Sequence, residues 1–112
     1  MSQSKTITDD EWSTDPKDWL HNPHAGEMLW LEFMEPLGLS AAGLAPLLDV
    51  RSDRIVDVIA GRTRIDAELD LRLGRYFGIS EGFFLRLQDS YELLEAKRAL
   101  NGRLDRIVPR AA

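Results

Sequence analysis

Residues 44–61, LAPLLDVRSDRIVDVIAG, contain two short apolar helical patterns, one ending near Leu48 and one beginning near Ser52. Apolar residues four positions apart lie on one face of a helix, and each pattern has such a pair. Two helices joined by a turn of about 3–4 residues form a helix-turn-helix, which most often reads DNA. The side chains predicted to hold the two helices together are Leu44, Leu48, Val50, Ile55 and Ile59.

The residues at the predicted helix ends agree with this pattern. Ser40 and Ser52 stand where N-caps are expected, and Gly61 stands where a helix C-terminus favours a left-handed residue. Asp66 and Ser80 are predicted to cap two further helices. We expect five helices and no sheet, an all-α fold.

The apolar residues of the other helical patterns indicate how they pack. A helix over 24–35 would place Leu29 and Phe33 inward, and a helix over 67–77 has apolar residues on two sides. We expect the second of these helices to be packed between neighbours.

Length and composition limit the class of protein. The chain has 112 residues, of which 44% are hydrophobic, enough for one core. No apolar run approaches the roughly 18–20 residues that span a bilayer, and no export signal is recognisable. There is no cysteine, which fits a reducing compartment. We therefore expect a cytoplasmic protein.

Composition divides the chain into three regions. Residues 1–22 are predicted to be a flexible acidic arm, in which Trp12 and Trp19 would dock onto the domain or onto a partner. Residues 23–100 are predicted to form the helix-turn-helix domain with a C-terminal dimerisation helix, followed by a tail over 101–112.

Charge is unevenly distributed along the chain, which has a formal net charge of −5. Residues 1–22 carry two lysines against five acids, and residues 23–39 carry three acids and no lysine or arginine. Residues 40–64 carry four arginines against three aspartates, a weakly positive segment. We expect modest and strongly salt-dependent affinity of a monomer for phosphate.

The outward face of the second helix of the motif is the candidate DNA reader. Ser52, Asp53 and Val56 would meet base edges, with Val56 available to a thymine methyl and Asp53 able to accept only from base amines. The arginines around them would bind phosphate. The alternative is a solvated helix with ion pairs. The predicted DNA-binding residues are Arg51, Ser52, Asp53, Arg54, Val56, Asp57, Arg62, Thr63 and Arg64.

An apolar stripe in the last helix runs farther than a small core requires. It predicts core packing or a dimer contact, with a ligand pocket as the alternative. The predicted interface residues are Phe83, Phe84, Leu87, Tyr91 and Leu94.

Catalytic and metal-binding patterns are weak. His21, His24 and Glu27 are three residues apart, yet Glu27 is more simply a first-turn acid favoured by the helix dipole. Two histidines and no cysteine allow no nucleophilic triad, and no glycine-rich phosphate loop is present. We expect no metal, no cofactor and no enzymatic activity.

Four stretches resemble a known family: 22–29 (NPHAGEML), 33–40 (FMEPLGLS), the helix-turn-helix, and 71–80 (LRLGRYFGIS) continuing into 83–93 (FFLRLQDSYEL). They are similar to the HigA-type (VapI-like) antitoxins of bacterial toxin–antitoxin operons, a branch of the lambda-repressor-like (Cro/C1-type, XRE) helix-turn-helix proteins. The chain departs from the family pattern at Asp49, where glycine is common, and at Asp53, where glutamine or arginine is common.

The resemblance implies a dimeric antitoxin that binds operator DNA, represses its own operon and neutralises a toxin similar to the RelE-superfamily messenger-RNA ribonucleases. Two alternatives stay open. One is a stand-alone XRE-type transcriptional regulator. The other is a helical protein-interaction module with weakened DNA binding, which Asp49, Asp53 and Asp57 favour.

Overall fold

The helix-turn-helix predicted from residues 44–61 is present in the computed structural model, which describes residues 19–111. Trp12 and most of the acidic arm lie outside the described residues. The described part of the chain holds five α-helices and no strand, so the predicted all-α class is confirmed. The helices are α1 Ala25–Met28, α2 Ala41–Leu48, α3 Ser52–Ile59, α4 Ala67–Phe77 and α5 Phe83–Leu100.

The chain divides into two compact units. One is Pro23–Leu93, and the described residues of the other are 19–22 and 94–111. In the second unit the Arg98 guanidinium lies over the Trp19 ring, 5.4 Å from its centroid. A 3₁₀ turn follows over Arg103–Arg106, where every residue is exposed.

The core of unit Pro23–Leu93 is built from apolar residues at helical spacing. Val50 and Ile59 pack against this core while remaining partly exposed, so the predicted apolar frame is confirmed. Val58, which the sequence did not single out, is fully buried. The buried apolar side chains are Ala25, Leu29, Met34, Leu44, Ala45, Leu48, Ile55, Val58, Ile65, Leu69, Leu73 and Phe84.

The first helical segment differs from the predicted regular α-helix. Helix α1 continues as a π-helical segment, Leu29–Met34, and then as a 3₁₀ turn, Glu35–Leu37. Leu29 and Met34 are both fully buried although they are five residues apart, a spacing that the wider π-turn brings onto one side. The predicted inward residue Phe33 packs against the core but stays partly exposed.

Three of the predicted helix ends are confirmed. The Ser40 hydroxyl accepts a hydrogen bond from the backbone N–H of Gly43 at 3.0 Å, as an N-cap does. The Asp66 carboxylate accepts from the N–H of Leu69 at 2.9 Å. Gly61 follows α3 in the left-handed region, with φ +79°.

Two predicted caps are wrong. Arg51, not Ser52, is the N-cap residue of α3, and its side chain makes no capping hydrogen bond. Helix α5 begins at Phe83, not directly after Ser80, because the carboxylate of Asp70 accepts the hydrogen bonds that a local cap would have taken.

Helix α4 has one buried face, contrary to the prediction of two. Leu69 and Leu73 are buried, whereas Leu71 on the opposite side is 47% exposed. The helix is therefore amphipathic, with Gly74 also on its buried side. It does lie between neighbours, as predicted, because Arg72 bonds the Leu48 carbonyl of α2 and Asp70 bonds the first residues of α5. No helix within residues 19–111 combines the length and the apolar character needed to cross a membrane.

Candidate nucleic-acid interface

Helix α3 is held by its inner face and leaves its outer face in solvent. Ile55 and Val58 are buried, while Ser52, Asp53 and Val56 are exposed. This is the division that the sequence predicted for a recognition helix, which must rest on a scaffold while it faces the groove. Asp57, also predicted to point outward, is only partly exposed.

Arg51 and Asp53 form a two-point ion pair at the N-terminal end of α3. Arg51 donates from Nε to Asp53 Oδ1 at 3.2 Å and from Nη2 to Oδ2 at 2.9 Å. This hydrogen-bonded partner raises the pKa of Arg51 and lowers the pKa of Asp53. Both side chains stay charged, and the pair as a whole is neutral.

Arg54 joins the recognition helix to the start of α4. Its Nη2 lies 3.0 Å from Oδ1 of Asp66, the N-cap residue of α4. The hydrogen bond from the Leu69 N–H lowers the pKa of the Asp66 carboxyl most, and Arg54 lowers it further. Arg54 therefore has a structural partner as well as its predicted role toward phosphate.

Two more arginines lie in the segment that joins α3 to α4. Arg62 donates to Asp57 at 3.0 Å. Arg64 donates to both oxygens of Glu92 on α5, at 2.9 and 3.1 Å, and this hydrogen-bonded contact raises the pKa of Arg64. Thr63, between them, is exposed.

Gln88 fixes the same segment from α5. Its amide accepts from the Ile65 N–H at 2.6 Å and donates to the Ile65 carbonyl at 2.8 Å. Gln88 and Asp70 are the polar residues buried in the described part of the chain. Gln88 is hydrogen-bonded to a residue 23 positions away, and Asp70 to residues 12 to 15 positions away. Burial of these two residues was not predicted, because a glutamine or aspartate on a helix carries no local sign of burial.

The predicted phosphate-binding arginines thus all have carboxylate partners within the protein. The structure brings Arg51, Arg54, Arg62 and Arg64 to α3 and its C-terminal loop, as predicted, but it also pairs each of them. No spacing rule could have found the pairs with Asp66 or Glu92, because packing sets those contacts.

The predicted dimer residues occupy different environments. The prediction that Phe84 lies at a dimer interface is wrong, because this side chain is fully buried in the chain's own core and has no surface left for a second chain. Phe83 and Leu87 pack against this core and stay partly exposed. The Tyr91 ring meets the His24 ring edge-on at 6.0 Å. Leu94 is partly buried in the other compact unit.

The histidine at the start of α1 has a structural role. His24 is the N-cap residue, and its Nδ1 accepts a hydrogen bond from the Glu27 N–H at 3.2 Å. Between residues 19 and 111, no three His, Cys, Asp or Glu side chains come together as a metal-binding group.

Comparison with known proteins identifies the family. No family model matches the sequence. Virulence-associated protein I of Dichelobacter nodosus is 40% identical over 75 residues, which are 67% of this chain and 69% of that protein. The antitoxin HigA of Pseudomonas aeruginosa, solved with the higBA promoter, is 32% identical, and the match covers 82% of this chain and 100% of that one with a TM-score of 0.74.

The chain belongs to the HigA-type (VapI-like) antitoxins of the XRE helix-turn-helix family. A second Pseudomonas aeruginosa structure, a protein in complex with its 18-base-pair operator DNA, is 34% identical with a TM-score of 0.76. That match covers 82% of this chain and 98% of the other. The family predicted from the sequence is therefore confirmed, and the relatives carry the names of antitoxins and transcriptional regulators, which are not enzymes.

Proposed function

We propose that this HigA-type chain is a DNA-binding antitoxin that represses transcription of its own operon. The observation that carries the proposal is helix α3: it is fixed by Ile55 and Val58, and it exposes Ser52, Asp53 and Val56. An α-helix of this kind fits the major groove of B-DNA, where each base pair presents a distinct pattern. Relatives with the same fold have been solved with promoter or operator DNA, which supports this use of the helix.

Several residues of α3 and the loop after it have chemistry suited to contact with DNA. Val56 would contact a thymine methyl, and the Ser52 hydroxyl can donate to or accept from a base edge. Arg54, Arg62 and Arg64 would position the helix on phosphate by exchanging a carboxylate for a phosphate oxygen. Thr63 would add a neutral contact to the backbone.

Binding to DNA upstream of the gene tests the proposal directly. Fluorescence anisotropy of a labelled upstream duplex should show saturable binding that weakens as salt rises. Val56→Glu should weaken binding at least about 10-fold, because it places a carboxylate in the groove. Leu71→Glu is the matched control, since Leu71 is 47% exposed and Val56 44%.

The result also separates the alternatives. Binding that Val56→Glu abolishes and Leu71→Glu leaves intact supports a DNA reader. Absence of binding at low salt, or equal loss in the two variants, would favour a protein-interaction module with weakened DNA binding. The carboxylate partners of the arginines are the observation that favours this second candidate.

We further propose that the chain binds DNA as a homodimer through α5. Leu93 is 64% exposed on this helix. A two-fold dimer would present two α3 helices to half-sites about one helical turn apart. Light scattering after gel filtration should give twice the chain mass, and Leu93→Asp should give the monomer. Leu71→Asp is the control, and a monomeric wild-type chain would contradict the proposal.

The toxin partner completes the proposal. An antitoxin that neutralises a RelE-like ribonuclease needs a surface for a basic protein, and residues 1–22 carry five acids against two lysines. Deletion of residues 1–22 should weaken binding to the protein encoded in the neighbouring reading frame, measured by calorimetry. Unchanged affinity would exclude the arm as the toxin site. The absence of a short basic frame beside the gene would instead favour a stand-alone regulator.

A further inference from the structure

The pair Arg51–Asp53 combines a two-point contact with a position at the N-terminal end of α3. The pair Arg64–Glu92 has the same two-point contact, but it joins the loop after α3 to α5. Arg51 is the N-cap residue of α3, and Asp53 is the second residue of the helix. Two parallel hydrogen bonds, 3.2 and 2.9 Å long, join one edge of the guanidinium to both carboxylate oxygens. The side chains are 86% and 63% exposed, so the pair stands in solvent at the end of the helix that enters a groove first.

The hydrogen bonds leave a defined part of the guanidinium available. Arginine has five N–H donors in a planar fork. Asp53 accepts one hydrogen from Nε and one from Nη2. Three hydrogens remain on the two terminal nitrogens, and two of these point in parallel along the outer edge. That edge is the one that matches the O6 and N7 acceptors of guanine in the major groove.

We propose that Arg51 reads a guanine in the major groove and that Asp53 is a positioning residue that holds the guanidinium in place for it. The inference rests on the proposed DNA-binding function and replaces the phosphate contact predicted for Arg51. It also gives Asp53 a role other than direct contact with a base amine. Fixing the flexible arginine before binding lowers the entropy cost of the two-point contact.

Charge explains why a base edge suits this pair better than a phosphate. The intact pair is neutral and attracts phosphate weakly, so a phosphate contact would require Arg51 to leave Asp53, as proposed for Arg54, Arg62 and Arg64. A contact with a base edge leaves the pair intact. A two-point hydrogen bond to a neutral base depends on the position of the N–H groups, which Asp53 improves. Arg54, by contrast, joins α3 to the start of α4 through Asp66, and Arg64 joins the loop after α3 to α5 through Glu92.

The pair Arg62–Asp57 provides the matched control. Its Nε and Nη2 both lie 3.0 Å from the same oxygen, Oδ1, of Asp57. Arg62 follows the C-terminal end of α3. We therefore expect loss of this pair to change the affinity for every DNA sequence by the same factor.

The test is selection of duplexes from a pool with randomised centres, using the full chain and the variants Arg51→Lys, Asp53→Asn and Asp57→Asn. The wild type and Asp57→Asn should enrich a fixed guanine in each half-site. Two variants should lose that preference: Arg51→Lys, which keeps the positive charge but lacks the planar set of N–H donors, and Asp53→Asn. On the selected duplex, changing this guanine to another base should weaken wild-type binding about 10- to 100-fold.

Modified bases separate the base contact from other causes. Replacing the guanine by 7-deazaguanine removes N7 and should weaken binding by the wild type but not by Arg51→Lys. Replacing it by inosine keeps O6 and N7 and should leave wild-type binding nearly unchanged.

The outcomes that overturn the inference are distinct from failure of the proposed function. Binding with no fixed guanine, or a guanine preference that survives Arg51→Lys, would overturn the reading role while leaving DNA binding intact. A guanine preference that survives Asp53→Asn would overturn the positioning role. If no duplex is enriched by any form of the chain, both the inference and the proposed function fail.

Discussion

Among the glycines in the described part of the chain, Gly26 leaves the least room for a side chain. A Cβ atom built on Gly26 would lie 1.8 Å from the carbonyl oxygen of Val58, so α1 and α3 touch through backbone here. Gly26→Ala should lower the free energy of unfolding by about 1–3 kcal/mol or more, because the backbone must move. Urea denaturation followed by circular dichroism measures this change.

Gly43 on α2 is the control for that substitution. The nearest atom to a Cβ at Gly43 is the Ser40 hydroxyl oxygen at 3.3 Å. Gly43→Ala should be neutral or should stabilise by up to about 1 kcal/mol, since alanine favours a helix. Equal losses in the two variants would contradict the close approach at Gly26.

Asp49 holds the turn between α2 and α3 in a left-handed conformation, with φ 59° and ψ 48°. Glycine adopts this conformation without the steric cost that a Cβ brings, and its greater freedom in the unfolded chain offsets part of the gain. Asp49→Gly should therefore raise the free energy of unfolding by about 0.5 kcal/mol, and Asp49→Val should lower it by about 1 kcal/mol or more. A denaturation midpoint that is lower for Gly than for Val would refute this account.

Among the helices, the start of α5 depends on a side chain from α4. The buried carboxylate of Asp70 accepts from the N–H groups of Gly82, Phe84 and Leu85 at 2.6, 2.9 and 3.2 Å. Asp70→Ala should lower the free energy of unfolding by about 3 kcal/mol or more, because three donors lose their acceptor. Glu68→Gln, at an exposed surface pair, should change it by less than about 1 kcal/mol. Thermal unfolding of the two variants measures the contrast, and a small effect at Asp70 would contradict it.

The start of α4 makes stability depend on pH in the acid range. The pKa of Asp66 is lowered by the Leu69 N–H and by Arg54, so the folded state favours the carboxylate more than the unfolded state does. This contribution is complete above the usual aspartate pKa of about 4 and is lost as pH falls through the lowered value. Asp66→Asn should remove this part of the pH dependence. Denaturant midpoints measured from neutral pH downward should be flatter in the variant, and parallel curves would exclude the effect.

For the whole chain, the pairing of arginines decides how DNA binding responds to salt. When an arginine exchanges its carboxylate partner for a phosphate, the phosphate releases its bound cations, but the freed carboxylate attracts cations from solution. The net number of ions released on binding is therefore smaller. The slope of log affinity against log salt should therefore be shallower than about 0.9 per phosphate contact. Asp57→Asn should steepen the slope, because Arg62 then has no Asp57 carboxylate to leave when it binds a phosphate. A slope that Asp57→Asn leaves unchanged would count against carboxylate exchange.

Much of the fold follows from contacts between near neighbours in the chain. The apolar spacing of Leu44 with Leu48 and the caps at Ser40 and Asp66 are local features, which is why the helix-turn-helix was predictable. The outward face of α3 was predictable for the same reason, since burial of Ile55 fixes which residues face solvent.

The sequence by itself determined the helices, most of their ends and the family, because these depend on residues a few positions apart. Tertiary structure alone decided the π-turn before α2, the Asp70 cap and the partner of Arg64. The Arg64–Glu92 contact spans 28 residues and the Asp70–Phe84 contact 14. Such contacts form only once the helices pack, because no periodicity along the chain encodes which distant polar groups will meet.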